Sequence, residues 1–129
     1  MSESSEHHQN VSPNPRPPRV QHPSRAYAKV YKEQAPDVLK AWRDFDAAVF
    51  SAEREIPQKY LQLMALAVTF TTQCEFCIEG HTVDAIKAGA SDTEITEAAW
   101  VAAALRAGGA YAHGRIAFMA ADQHRHPAG

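Results

Sequence analysis

The chain has 129 residues, 45% of them hydrophobic and 22% charged, with a formal net charge of -2 and a pI near 6.4. That size fits one domain burying roughly two-thirds of its unfolded surface, and the balance lacks the basic footprint of a nucleic-acid binder, whose pI usually exceeds about 9. No apolar run approaches the roughly 20 residues of a membrane span, and the opening M-S-E-S-S-E-H-H is polar and acidic where a signal peptide is basic and then apolar, so the expected compartment is the cytoplasm.

Residues 1–25 are rich in Ser, Glu, His, Asn and Pro, with Pro13, Pro15, Pro17, Pro18 and Pro23 interrupting any helical or strand pattern. They read as an extended, mobile arm in which His7, His8 and His22 are solvated residues before they are metal contacts. A helical domain is expected over 26–123, followed by a frayed tail at 124–129 whose His124 and His126 are likewise read as solvated. Ser24 is placed to cap a short helix through Gln34, with Tyr27, Val30 and Tyr31 on one face.

Pro36 ends that helix or opens the next. From Asp37 onward Val38, Trp42, Phe45 and Val49, joined by Ala41, Ala48 and Ala52, draw an amphipathic stripe of about four turns, expected to face a core. The turn S-A-E-R-E-I-P leads to a third helix, with Pro57 near its first turn. Between Tyr60 and Phe70 the apolar residues are nearly continuous, the pattern of a helix buried on most sides. Gln62 is the one strongly polar side chain in that run before Thr69; it lies on the wet side of the helix or is aimed at the cysteines that follow.

Those cysteines, Cys74 and Cys77, are the only two in the chain, and they stand in Q-C-E-F-C-I-E-G-H, Gln73 to His81. On a helix beginning at Cys74, the side chains of Cys74, Cys77 and His81 fall within roughly 60° of one another. A bridge between residues so close in sequence removes little loop entropy, so a structural staple is a poor reading. The helix is expected to run to about Ala88, with Gly89 as a left-handed cap. Ser91 and Glu94 then form a capping-box pattern, and Asp92 adds negative charge to the first turn. The Ala- and Gly-rich segment beyond it is expected to bend or break at Gly108 and Gly109, with a last helix through Ile116, Phe118 and Met119 to about Gln123. No segment alternates as a strand does, so the expected fold is all-α, with five to seven helices and apolar faces suited to self-association.

A cysteine at a helix start is shifted toward thiolate by the unpaired backbone N–H groups and the helix dipole. Such a thiolate attacks the O–O bond of a hydroperoxide to give a sulfenic acid, and a second thiol condenses with it to a disulfide; it attacks other disulfides equally well. His81, at i+4 from Cys77, can carry the proton, which makes Cys77 the attacking thiol and Cys74 the resolving one, although the dipole favours the opposite order. Zinc would need a fourth ligand, with His113 the best placed by type, and three ligands on one regular helix wrap a tetrahedral ion poorly. Inert core cysteines are the remaining alternative.

The stretch I-P-Q-K-Y-L-Q-L-M-A-L-A-V-T-F-T-T-Q-C-E-F-C-I-E-G-H, then G-A-S-D-T-E-I and A-A-L-R-A-G, closely resembles the carboxymuconolactone decarboxylase superfamily, and within it the alkylhydroperoxidase AhpD-like branch. The resemblance is strong over about half the chain. It implies an all-α fold, homo-oligomers (trimers or hexamers), and thiol-dependent peroxidase or disulfide-reductase activity without a bound cofactor. It implies a hydroperoxide or disulfide substrate and a dithiol reductant protein, lipoyl-type or thioredoxin-like. Cys74, Cys77 and His81 match the family's catalytic positions. Gln62 departs from them: the resemblance implies a glutamate there, in a proton relay with the histidine, and a glutamine accepts no proton at working pH. His113, in Y-A-H-G, is a further candidate for the site as a second imidazole. A decarboxylase and a non-enzymatic redox sensor or binding protein remain the rival readings; the dithiol argues against the first, and multiple turnover would exclude the second.

Overall fold

A computed structural model describes residues 22–127. Most of the expected arm, with His7 and His8, and the last two residues of the tail lie outside that range. Among the described residues the fold is all helical, with five α-helices, one 3-10 helix and no strand.

Two compact units divide at Trp42 and Arg43. The first holds a 3-10 helix, Pro23–Tyr27, then α1, Lys29–Gln34, and the opening of α2, Pro36–Val49. The single helix expected from Ser24 to Gln34 is therefore two pieces. Its cap is His22, whose Nδ1 accepts the Ser24 N–H, so Ser24 is the capped residue and not the capping one. Pro36 opens α2 because the residue before a proline is pushed toward extended backbone, and Ala35 at φ -146° ends α1 there.

The second unit holds the rest of α2, then α3, Gln58–Thr72, α4, Glu75–Lys87, and α5, Asp92–Arg125. Helix α3 packs against both α4 and α5. Fully buried Leu66 of α3 sits with Ala85 of α4 and Ala102 of α5 as the apolar core. Alanine at both facing positions lets the helices approach closely, since no side chain beyond Cβ holds them apart. At their N-terminal ends, Lys59 Nζ of α3 donates to Glu94 Oε1 of α5 at 2.8 Å. Glu94 also accepts the Ser91 N–H while Ser91 Oγ accepts the Glu94 N–H, so the expected capping box is present. Gly89, at φ 90°, reverses the chain after α4 as expected.

Four further expectations are corrected. Helix α3 is not buried on most sides: Tyr60, Met64 and Val68, one turn apart, form an exposed stripe opposite Leu66. Val38, Trp42, Phe45 and Val49 of α2 are likewise exposed in the single chain, because periodicity shows that a face is apolar and not what covers it. Gly108 and Gly109 neither bend nor break α5, which is one helix of 34 residues. Each glycine costs about 1 kcal/mol in a helix, a penalty the continuous hydrogen-bonded ladder absorbs. The helix also continues through His124 and Arg125, two residues into the segment expected to fray.

Candidate dithiol site

The site begins where α3 stops. Gln73 takes the left-handed conformation, φ 56° and ψ 39°, and is the one non-glycine residue among those described with positive φ. For a side chain with a Cβ this costs about 1–2 kcal/mol. It turns the chain in a single residue: the N–H groups of Gln73 and Cys74 both donate to Thr69 O, a Schellman-type closure of α3. Cys74 is thereby delivered as the N-cap of α4.

In that position Cys74 Sγ accepts the backbone N–H of Cys77 at 3.3 Å. The sulfur takes the role usually filled by a serine or aspartate oxygen, and it lies at the positive end of the α4 dipole. Cys74 and Cys77 are joined by a disulfide. Both residues are half-buried, neither sealed in the core nor fully in solvent.

One turn beyond Cys77, His81 is also half-buried. Its Nδ1–H donates to Gln62 Oε1 at 2.7 Å, across from α4 to α3. Gln62 is only 5% exposed, so the wet-side alternative for this residue is excluded. Because the amide oxygen holds Nδ1, the neutral ring presents Nε2 as its free basic nitrogen.

The imidazole has a second neighbour, which the sequence reading missed. The Phe50 ring packs against it with centroids 4.9 Å apart and planes tilted by 41°. Phe50 leaves the C-terminal end of α2, and the carbonyls there are held by side chains. Gln58 Nε2 donates to Phe50 O at 3.0 Å and to Ser51 O at 2.8 Å, and Arg54 Nε donates to Ala48 O at 2.8 Å. Gln58 and Gln62 are one turn apart on α3, followed on the same face by Leu66 and Thr69, so the inner stripe of this apolar helix is largely polar. Two glutamines at i and i+4 inside a hydrophobic helix were the available signal.

His113 lies on exposed backbone far along α5, and its Nδ1–H donates to Gly109 O of the same helix at 3.0 Å. None of its described interactions reaches Cys74, Cys77, Gln62 or His81. Among the described residues no group of three His, Cys, Asp or Glu side chains is arranged to hold a metal ion, and no helix is long and apolar enough to cross a membrane.

The sequence profile of the carboxymuconolactone decarboxylase family matches residues 36–120. The chain is 45% identical to uncharacterized protein 4 in the cox locus of Paracoccus denitrificans, over 75 residues that make up 58% of this chain and 68% of that protein. It is also similar to the crystal structure of a protein from Methanobacterium thermoautotrophicum, with 32% identity and a TM-score of 0.61 over 67% of this chain and 98% of that one.

Proposed function

The chain belongs to the carboxymuconolactone decarboxylase family, and we propose that within it this protein is a thiol-dependent oxidoreductase, an alkylhydroperoxidase-like peroxidase or disulfide reductase, whose working groups are Cys74, Cys77 and His81. The observation that carries the reading is the pairing of two half-buried cysteines at the start of α4, one of them receiving a backbone N–H, with a histidine whose Nδ1 is already engaged.

The cycle follows from those groups. Nε2 of His81 accepts the Cys77 thiol proton, and the thiolate attacks a hydroperoxide oxygen. An S–O bond forms and the O–O bond breaks; the departing alkoxide takes the proton from the imidazolium and leaves as an alcohol, while the sulfur becomes a sulfenic acid. The Cys74 sulfur then attacks the Cys77 sulfur and expels hydroxide, which leaves as water with the proton given up by the Cys74 thiol, closing the disulfide. A dithiol reductant, lipoyl-type or thioredoxin-like, attacks Cys77. Cys74 departs as a thiolate stabilised by the Cys77 N–H and the helix dipole, and the second thiol of the reductant completes the exchange, leaving as a disulfide. Gln62 orients the ring and accepts no proton, so the relay ends at His81.

Free thiols are titrated in the reduced protein before and after one equivalent of hydroperoxide, with mass spectrometry locating the product and repeated additions under excess dithiol testing turnover. Loss of two thiols with a Cys74–Cys77 disulfide, renewed many times by dithiol, is the expected result. A single stoichiometric oxidation that dithiol does not reset supports the sensor reading instead.

A homo-oligomer, trimeric or hexameric, is part of the same proposal. It is supported by α5, where every residue from 103 to 120 is exposed in the single chain, including Leu105, Tyr111, Ile116, Phe118 and Met119. Apolar area of this extent ordinarily finds a partner. Light scattering on the purified protein is expected to give a multiple of 14.2 kDa, and a monomer at all concentrations overturns it.

A further inference from the structure

From the placement of Gln58 and Gln62 on one face of α3, we infer that Phe50 and Gln58 are positioning residues for His81, acting with Gln62 to fix the imidazole in a single orientation. The inference rests on the proposed proton transfer at His81 and adds two residues to it.

A hydrogen bond from Nδ1 to Gln62 fixes one atom of the ring and not its plane. About that contact the imidazole can still pivot, changing where Nε2 lies. A flat neighbour removes the pivot, and the Phe50 ring at 4.9 Å is such a neighbour. Phe50 can serve only if it is itself held, yet it stands just past the end of a helix, where the last carbonyls lack intrahelical partners and chains ordinarily fray. Here the chain is held: one amide, Gln58 Nε2, spans the carbonyls of Phe50 and Ser51, and Arg54 takes that of Ala48 in the last turn of the helix.

Gln58 is the first residue of α3, and Gln62 stands one turn later on the same face. The clamp on Phe50 and the clamp on His81 are therefore referred to one rigid segment. Displacing either displaces Nε2, and small misplacements of a reacting group cost up to roughly 100-fold in rate.

The test compares Phe50→Leu, Phe50→Tyr and Gln58→Met in the reduced, full-length protein. Leucine keeps apolar bulk without a flat face, tyrosine restores the face, and methionine keeps the length of Gln58 without its donors. Two readouts are taken: the rate of thiol oxidation by hydroperoxide, and ¹³C relaxation at Cδ2 and Cε1 of His81, which reports whether the ring holds one orientation. The expected result is a rate about tenfold lower in F50L and Q58M, restored in F50Y, with the His81 ring moving from one fixed orientation to several in the two slow variants. Unchanged ring relaxation in F50L and Q58M overturns the inference, as does an F50Y variant as slow as F50L. If the wild-type protein oxidises no faster than free cysteine, the redox proposal fails, and the relaxation readout still decides whether Phe50 and Gln58 hold the ring.

Discussion

Gln62 and His81, 19 residues apart in sequence and on different helices, share a 2.7 Å hydrogen bond in which the ring Nδ1–H meets the amide oxygen. That contact leaves Nε2 as the basic nitrogen of the neutral ring, and the side chain that holds Nδ1 is one that cannot take up a proton.

Replacing Gln62 by glutamate keeps the acceptor and adds a base. Gln62→Glu is expected to raise the rate of thiol oxidation near neutral pH by about tenfold, less than the roughly 100-fold or more of a full general base because His81 already carries the proton, and to alter the pH–rate profile. A profile that superimposes on wild type places residue 62 off the proton path. Gln62→Leu leaves the half-buried ring N–H without its partner, and a destabilisation of about 1 kcal/mol is expected in chemical unfolding.

The two sulfurs are expected to fail in different ways. Cys77→Ser removes the proposed attacking thiol, so hydroperoxide consumption falls to background. Cys74→Ser leaves attack possible and removes resolution, so one equivalent of peroxide yields a sulfenic acid on Cys77, detectable by mass spectrometry after trapping with a carbon nucleophile. The reverse pattern would exchange the two roles, in line with the N–H that Cys74 Sγ receives.

Gln73 holds a backbone conformation that glycine adopts freely. Gln73→Gly is expected to stabilise the protein by up to about 1 kcal/mol, the relief of left-handed strain being offset in part by the greater freedom of glycine in the unfolded chain. A thermal melt reads this directly. A clear loss of stability would mean that the glutamine side chain supports the turn in its own right.

Acid sensitivity is expected at the Lys59–Glu94 pair. The hydrogen bond from Lys59 and the backbone N–H of Ser91 hold the Glu94 carboxyl below its ordinary value of 4.5, and the hydrogen bond to Glu94 raises Lys59 above 10.5. A lowered carboxyl stabilises the fold above its unfolded value and loses that contribution as pH falls through the folded one; a raised amine loses its contribution only as pH climbs past 10.5. Melting temperature is therefore expected to drop below pH 4.5 more steeply in wild type than in Glu94→Gln, which keeps the capping-box acceptor without the charge. Parallel acid limbs would remove this pair from the account.

His113 hydrogen bonds to its own helix, and His113→Ala is expected to leave the oxidation rate within about twofold, a change too small for a lost general base. A loss of tenfold or more would bring it back into the site.

The sequence alone determined what depends on residues a few positions apart. Pro36 and Pro57 mark helix starts, Ser91 with Glu94 caps α5, Gly89 turns the chain, and the spacing of Cys77 and His81 sets them one turn apart on α4 with Cys74 just before its first residue, because capping and helical phase act within one or two turns. Tertiary structure alone decided that Gln62 is buried against His81, that Phe50 covers the same ring, and that Trp42, Met64 and Phe118 stand exposed in the single chain. Periodicity shows that a helix has a face and leaves open what meets it; that is settled only when α3 packs on α4 and α5 and brings together side chains distant along the chain.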